Sequence, residues 1–290
     1  MTRAHRPGAS LALLPTCIED VPLAATLARQ LDLPLAEIGT DPEACGLVDL
    51  LLLVSATGLA LQLTRRGLGG GATAAGGKSG RRPTGQTLPG PVRVDFGSAH
   101  MRHRRRSGHN ELLGRAVGVS ATRSPHVLDA TAGLGRDSFV LADMGCTVTL
   151  CEREPVIAAM LDRGLLAAQA SADDWLVRAA SGMSLVAKDA RELTPAQLAS
   201  TGVIYLDPMF PPRDKSAAVK KEMALFHILL DGRSTDQDAD GLLLWAIEQD
   251  VARVVAKRAS RAPFLAGRKP SHSVEGKAVR FDVYVRRALA

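Results

Sequence analysis

Aromatic side chains are scarce in this sequence: two Trp, two Tyr and six Phe among 290 residues. Hydrophobic residues still make up 46%, so a sizeable core is available, but Leu, Val and Ala must fill most of it. Cysteine is equally sparse. Cys17, Cys45, Cys146 and Cys151 form no C-x-x-C pair and no zinc-ligand spacing, so no metal is expected. Their pattern points to a reduced, cytoplasmic setting, with Cys146 and Cys151 as small core residues. No apolar run suits a membrane span. Residues 50–63 are the most apolar, yet Ser55, Thr57, Gly58 and Gln62 interrupt them, and two strands around a Thr57-Gly58 turn fit better. Leu11 to Leu14 is too short for the apolar part of a secretion signal, and Pro15 ends it. No internal repeat is visible.

What is present is a surplus of cations. A net charge of +6 and a pI near 9.4 favour an anionic partner, although many arginine-rich proteins are basic without binding nucleic acid. The chain divides by pattern into residues 1–91 and 92–290. The first part reads as a small α/β domain, with strands at 11–14, 50–54 and 59–63 and a helix from Pro22 to Leu31, where proline suits the first turn. It ends in a glycine-rich segment, 67–91, which has no packable face and reads as a flexible linker. Val92 to Phe96 resumes as a strand, His100 to Arg106 is densely basic, and Glu111 to Val117 is a short amphipathic helix.

From residue 124 strand and helix patterns alternate. Strands are expected at 126–130, 146–151, 184–187, 203–206, 252–257 and 279–285, and helices at 136–144, 155–169, 195–199, 216–230 and 241–249. That alternation predicts a mostly parallel, doubly wound Rossmann-like α/β sheet. The last segment, Val279 to Val285, alternates apolar and polar residues and fits an antiparallel closing strand.

Two strand ends carry the chemistry. Asp129 closes the first strand and enters a small-residue loop in which Gly133 and Gly135 let the backbone turn sharply. A helix then begins near Arg136, offering free N–H groups and a positive dipole end. Glu152 closes the next strand at a distance suited to ribose hydroxyls. An ordinary strand–helix turn would use the same glycines. A nicotinamide site would prefer a third glycine where Ser138 stands. Acids at both strand ends fit better a cofactor with no phosphate and with cationic sulfonium and amino groups, S-adenosylmethionine. Asp189, at the third strand end, falls where adenine recognition is expected in an open sheet, or serves as a helix cap.

Asp207-Pro208-Met209-Phe210 follows the apolar run Val203 to Leu206. An exocyclic amine is a poor nucleophile because its lone pair is delocalised into the ring. A carboxylate at Asp207 and the carbonyl of Pro208 suit its two N–H groups, and Phe210 suits the face of a base extruded from its stack. A turn with a core phenylalanine is the alternative. Cations lie nearby in sequence: Arg104 and Arg105 in the basic run, Lys215 in a proline-rich loop, Lys220 and Lys221 on the following helix, and Lys257-Arg258 at another strand end. With so few aromatics among them, phosphate contact is favoured over stacking, while a solvated helix face remains the plainer reading.

Together, Asp129 to Asp137 (DATAGLGRD), Tyr205 to Pro211 (YLDPMFP) and Lys215 to Met223 (KSAAVKKEM) resemble the ribosomal small subunit methyltransferase J family. Val94-Asp95-Phe96, His103-Arg104-Arg105, Ala116-Val117-Gly118, Val255 to Arg258 and Arg280 to Tyr284 add to the likeness, which covers roughly residues 92–290. The resemblance implies a Rossmann-like methyltransferase sheet and S-adenosylmethionine-dependent methylation of a guanine N2 in small-subunit (16S) ribosomal RNA, with the RNA or the small ribosomal subunit as partner. It places cofactor contacts at Arg136-Asp137, Glu152-Arg153, Asp189-Ala190 and Asp207. Rival readings are amino methylation of DNA or of a protein glutamine, and a non-catalytic RNA-binding assembly factor.

Overall fold

The computed structural model describes residues 10–70, 87–106, 111–208, 225–230 and 236–289. The chain forms two compact units, Met1–Arg93 with Phe210–Arg233, and Val94–Met209 with Ser234–Ala290.

The first unit holds a four-stranded sheet of β1 (Leu11–Pro15), β2 (Leu50–Ser55), β3 (Gly58–Leu63) and β4 (Val92–Arg93), in that order. β1 runs parallel to β2, and the other neighbours are antiparallel. The β2–β3 hairpin pairs Leu50 with Leu63 through to Ser55 with Gly58, so the most apolar segment folds as two buried strands. Only two residues of the expected 92–96 strand are extended into pairing, and they pair with β3. The Val21–Leu31 helix carries proline in its first turn and stops at Asp32, which adopts a left-handed conformation. The first four residues of the glycine-rich segment, 67–70, belong to a short helix, Arg65–Gly70. Thr64 caps it by accepting the Gly67 N–H. A Cβ at Gly67 would lie 2.2 Å from the Asp49 carbonyl oxygen, so glycine permits this close approach. Residues 71–86 lie outside the described residues.

The second unit is built on a seven-stranded sheet of β5 (His126–Asp129), β6 (Thr147–Cys151), β7 (Met183–Val186), β8 (Val203–Leu206), β9 (Arg253–Ala259), β10 (His272–Glu275) and β11 (Val279–Val285). Its order is β10-β11-β9-β8-β5-β6-β7. β5 to β9 are mutually parallel, and β11 is antiparallel to both neighbours. The expected closing strand is therefore not an edge strand, because β10 covers it. Only Val274 of the four β10 residues is a buried apolar residue, which leaves little pattern to read. The buried pair Arg280–Asp282, with Ser273 donating to Asp282, fixes this hairpin.

Helices Arg136–Asp143 and Pro155–Gln169 follow β5 and β6 as expected. Asp174–Ser181 was not anticipated. Asp173 caps it by accepting the Trp175 N–H, and Trp175, Leu176, Ala179 and Ala180 form its buried face. The basic run is itself helical, Ala99–Arg106, with Met101 buried. Of the expected 216–230 helix, 225–230 is helical and 216–224 lies outside the described residues. The core matches the shortage of rings: Leu, Val and Ala dominate, joined by the stacked pair Phe96–Phe139 at 4.6 Å and by Trp175 edge-on to Phe139.

Chain order reverses between β5 and β8. β6 and β7 extend the sheet to one side, while β8 and β9 extend it to the other. In open parallel sheets ligands bind outside the carboxyl ends of the strands at such a switch point. Asp129 ends β5 and Asp207 follows β8, so both expected site motifs meet there.

Two glycine substitutions test the packing. A Cβ at Gly164, in the Pro155–Gln169 helix, would lie 2.2 Å from Val94 Cγ1. Gly164→Ala should lower stability by about 1–3 kcal/mol, because overpacking outweighs the gain in helix propensity. Gly241, in the Asp236–Glu248 helix, has nothing within 4 Å of such an atom, so Gly241→Ala should raise stability by about 0.5–1 kcal/mol. Urea unfolding midpoints moving in the same direction for both would contradict this packing.

Candidate active site

Strand register sets the site. Asp129 lies opposite Leu150 and Tyr205, and Leu206 lies opposite Ala256. The next positions along, Asp207 and Lys257, therefore emerge side by side. The loop after β5 turns through Gly133 (φ +53) and Gly135 (φ +70). A Cβ at Gly135 would lie 2.7 Å from Leu161 Cδ1, so glycine there serves both conformation and packing.

Asp129 organises this loop from within. Its Oδ1 accepts the Thr131 N–H at 3.0 Å, and its Oδ2 accepts the Ser138 hydroxyl. Only 2% of the residue is exposed, and burial pushes its carboxyl up to about 7. Thr131 Oγ1 in turn accepts the Asp207 N–H at 2.6 Å, which ties the loop after β8 to the loop after β5. Glu152 accepts the Gly133 N–H at 2.9 Å and the Glu154 N–H at 2.8 Å, and burial raises its pKa as well.

A second cluster holds Asp189, which accepts both Nε and Nη2 of Arg191 and lies 3.5 Å from Arg153. The Arg191 pairing holds its carboxyl down at about 2. Asp238 completes the group by pairing with Arg153 at 2.6 Å and Arg191 at 3.1 Å. Ala190 is buried beside it.

The third cluster is the tightest. Lys257 Nζ donates to Asp137 Oδ2 at 2.8 Å and to Asp207 Oδ2 at 2.7 Å. Arg104 donates to Asp137 Oδ1, and the buried Tyr205 hydroxyl donates to Asp137 Oδ2, both at 2.5 Å. Burial alone would raise Asp137, but Lys257 and Arg104 outweigh it and hold the carboxyl well below the usual range. Burial likewise opposes the Lys257 charge, and Asp137 and Asp207 more than offset it. Tyr205 is raised far above its ordinary value by burial and stays a neutral donor. Asp207 keeps 37% of its side chain exposed, within reach of a ligand, and the next residue, Pro208, is buried.

The structure thus gathers Asp129, Gly133, Gly135, Arg136, Asp137, Glu152 and Asp207 at one sheet edge, with Arg153, Asp189 and Ala190 at the ends of β6 and β7. It redistributes the cations expected to meet phosphate. Lys257, on a buried strand, and Arg104, on the Ala99–Arg106 helix, turn inward to carboxylates, because a charge taken out of water needs a partner. Arg258 is 5% exposed and donates to the Pro263 carbonyl. Arg105 stays at the surface, 3.1 Å from Asp143 and 4.8 Å from the centre of the Trp175 ring. Phe210, Lys215, Lys220 and Lys221 lie outside the described residues. Sequence reading missed Thr131, Ser138, Tyr205, Arg191 and Asp238. The Asp-x-Thr spacing at 129–131 was a usable signal, since an aspartate commonly accepts the N–H two residues on.

The donor set fits an adenosyl sulfonium. Acids stand at four strand ends, and Ala130 to Gly135 offer no cation to a phosphate. Among the described residues no group of His, Cys, Asp and Glu could hold a metal ion, and no helix is long and apolar enough to cross a membrane.

Fold and site together define an S-adenosylmethionine-dependent methyltransferase, and a family model described as "Putative SAM-dependent methyltransferase" matches residues 81–286. Over 283 residues the chain is 43% identical to the ribosomal RNA small subunit methyltransferase J of Cellvibrio japonicus, covering 94% of this chain and 97% of that protein. It is 46% identical to the protein of the same name from Thioalkalivibrio sulfidiphilus, with 90% and 92% covered. A crystallised S-adenosylmethionine-dependent methyltransferase from Neisseria gonorrhoeae superposes with a TM-score of 0.65 at 32% identity, covering 94% and 95% of the two chains. The chain belongs to the ribosomal RNA small subunit methyltransferase J family.

Asp129 offers a pH test. Its raised pKa means that the fold retains a proton which the unfolded chain releases between about pH 4 and pH 7. Ionisation at Asp129 therefore costs stability as pH rises through that window, and the neutral amide of Asp129→Asn escapes the cost. Relative to the variant, the wild type should lose about 1–4 kcal/mol between about pH 5 and pH 8 in urea unfolding. A difference that stays constant with pH would refute the assignment.

Proposed function

We propose that this protein methylates the exocyclic N2 of a guanine in small-subunit ribosomal RNA. The observation that carries the reading is Asp207: a partly exposed carboxylate at the switch point, clamped by Lys257 and tied to the cofactor loop through Thr131. S-adenosylmethionine supplies an electrophilic methyl group on a sulfonium and leaves as the neutral thioether. Glu152 and the Gly133–Gly135 loop would hold its adenosyl part, with Asp189 and Ala190 beside them. Asp137 and Arg136 would support the loop and the helix start.

Asp207 and the Pro208 carbonyl would accept the two N–H groups of the guanine amine and aim its lone pair at the methyl group. The nitrogen gains positive charge as the new bond forms and then sheds a proton. A fixed carboxylate favours both changes over the ground state, which is how a site accelerates a reaction. The names of the relatives support an RNA of the small subunit as substrate, and therefore a cytoplasmic place of work. On the Ala99–Arg106 helix, His100, His103, Arg105 and Arg106 face outward, and they would meet the phosphate backbone.

Asp207→Asn keeps the shape but loses the charge. Methyl transfer to small-subunit RNA should fall about 100- to 1000-fold, while RNA affinity stays near wild type. The wild-type product should be N2-methylguanosine by nucleoside mass spectrometry. A methyl group on a ring carbon or a ribose oxygen, or unchanged turnover in the variant, would reject the amine-acceptor chemistry.

A further inference from the structure

We propose that Lys257 is a positioning residue for methyl transfer, whose ammonium bridge from Asp137 to Asp207 fixes the Asp207 carboxylate as a charged acceptor at the sheet edge. The inference rests on the reading of Asp207 given above.

Three observations carry it. Lys257 belongs to β9 and Asp207 to the end of β8, so adjacent strands deliver the pair in register rather than through loop flexibility. Asp137 anchors Lys257 from its other side at 2.8 Å, and Arg104 and Tyr205 hold Asp137 in turn. The Asp207 N–H is separately bound by Thr131 Oγ1. Asp207 is thus restrained at its backbone and at one carboxylate oxygen. An aspartate following a strand has side-chain freedom that must otherwise be lost at each turnover. Restraining it beforehand removes that loss and holds the acceptor geometry.

The bridge also sets the kind of help Asp207 gives. The ammonium 2.7 Å from its Oδ2 favours the ionised form of Asp207, so the carboxylate accepts N–H groups while being a weaker base than an unpaired one. It orients and stabilises the charged amine, and the proton passes on to water. Charged or titratable groups around this ammonium include Asp137, Asp207, Arg104 and Tyr205, drawn from the Arg136–Asp143 helix, the end of β8, the Ala99–Arg106 helix and β8 itself, and Asp129 at the end of β5, whose own carboxyl titrates at about 7 and feels Asp137 and Asp207. Losing the Lys257 charge would make Asp207 easier to protonate and raise the pH at which activity fails on the acid side.

The test measures methyl transfer to small-subunit RNA at saturating S-adenosylmethionine from about pH 3.5 to pH 9, over the range in which each variant stays folded. Lys257→Met should lower kcat by about 100-fold, with KM for RNA changed less than about threefold, and its acid limb should move up by about one pH unit or more. Lys257→Arg, which keeps the charge, should recover about a tenth or more of the wild-type kcat. Because Lys257→Met leaves Asp137 buried without its ammonium, it is paired with the double variant Lys257→Met/Asp137→Asn, which removes both charges. The folded double variant should remain slow, with an acid limb above that of the wild type but below that of Lys257→Met, because the Asp137 charge that also opposes ionisation of Asp207 is gone. Wild-type turnover in either folded variant, or an unmoved acid limb, would overturn the proposal and leave Lys257 a stabilising ion pair. Asp207→Asn, run alongside, separates the two claims. If it stays active the acceptor reading fails, whereas a dead Asp207→Asn beside an active Lys257→Met sinks only the role of Lys257.

Discussion

A single ammonium group, that of Lys257, joins the parts of this site. It draws together the Arg136–Asp143 helix through Asp137, the end of β8 through Asp207, and its own strand β9. Without it, two carboxylates would face each other at a half-buried edge, where removing one partner of an ion pair leaves an uncompensated charge that costs several kcal/mol. Arg104 extends the arrangement to the Ala99–Arg106 helix, and Tyr205 extends it into the sheet beneath. The strand order that makes the switch point and the ion cluster that occupies it are therefore mutually dependent.

Much of this fold is legible in the sequence because parallel strands buried on both faces read as short, nearly continuous apolar runs. Val203 to Leu206 and Val254 to Ala256 are of that kind, and β5, β6, β7, β8, β9 and β11 lie within a residue or two of where the pattern puts them. The glycine loop and the aspartates at 129 and 207 are legible for a related reason: carboxylates and glycines at strand ends have few purely structural uses together. What escaped was short, or required knowledge of which elements are neighbours. β10 has a single buried apolar residue, and the Asp174–Ser181 helix follows the preceding helix too closely for its own period to stand out. Arg104 and Lys257 read as surface cations because a basic run looks the same whether its charges face solvent or buried acids. Only the register of β8 against β9 reveals the difference for Lys257.

The site is also notable for how it tolerates so many acids. Asp129, Asp137, Glu152, Asp189 and Asp207 crowd the carboxyl edge of one sheet, and five like charges there would repel one another strongly at low dielectric. Each is handled differently. Asp129 sits near neutrality, with a pKa raised by burial to about 7. Glu152 is satisfied by two backbone N–H groups. Asp189 is matched by Arg191 and Arg153, and Asp137 with Asp207 by Lys257 and Arg104.

These are not equivalent solutions. An acid paired with a guanidinium or an ammonium keeps its charge but has spent much of its field, whereas one bound by neutral N–H groups keeps both. By that argument Glu152 is the acid whose field remains most available to a ligand. Asp207, being partly exposed, is the acid whose field is moderated by Lys257 without being hidden. The proposed chemistry, a sulfonium cofactor and a neutral amine acceptor, would call for that division: an anionic wall that does not compete for the amine, and a partly exposed carboxylate that would orient the amine without keeping its proton.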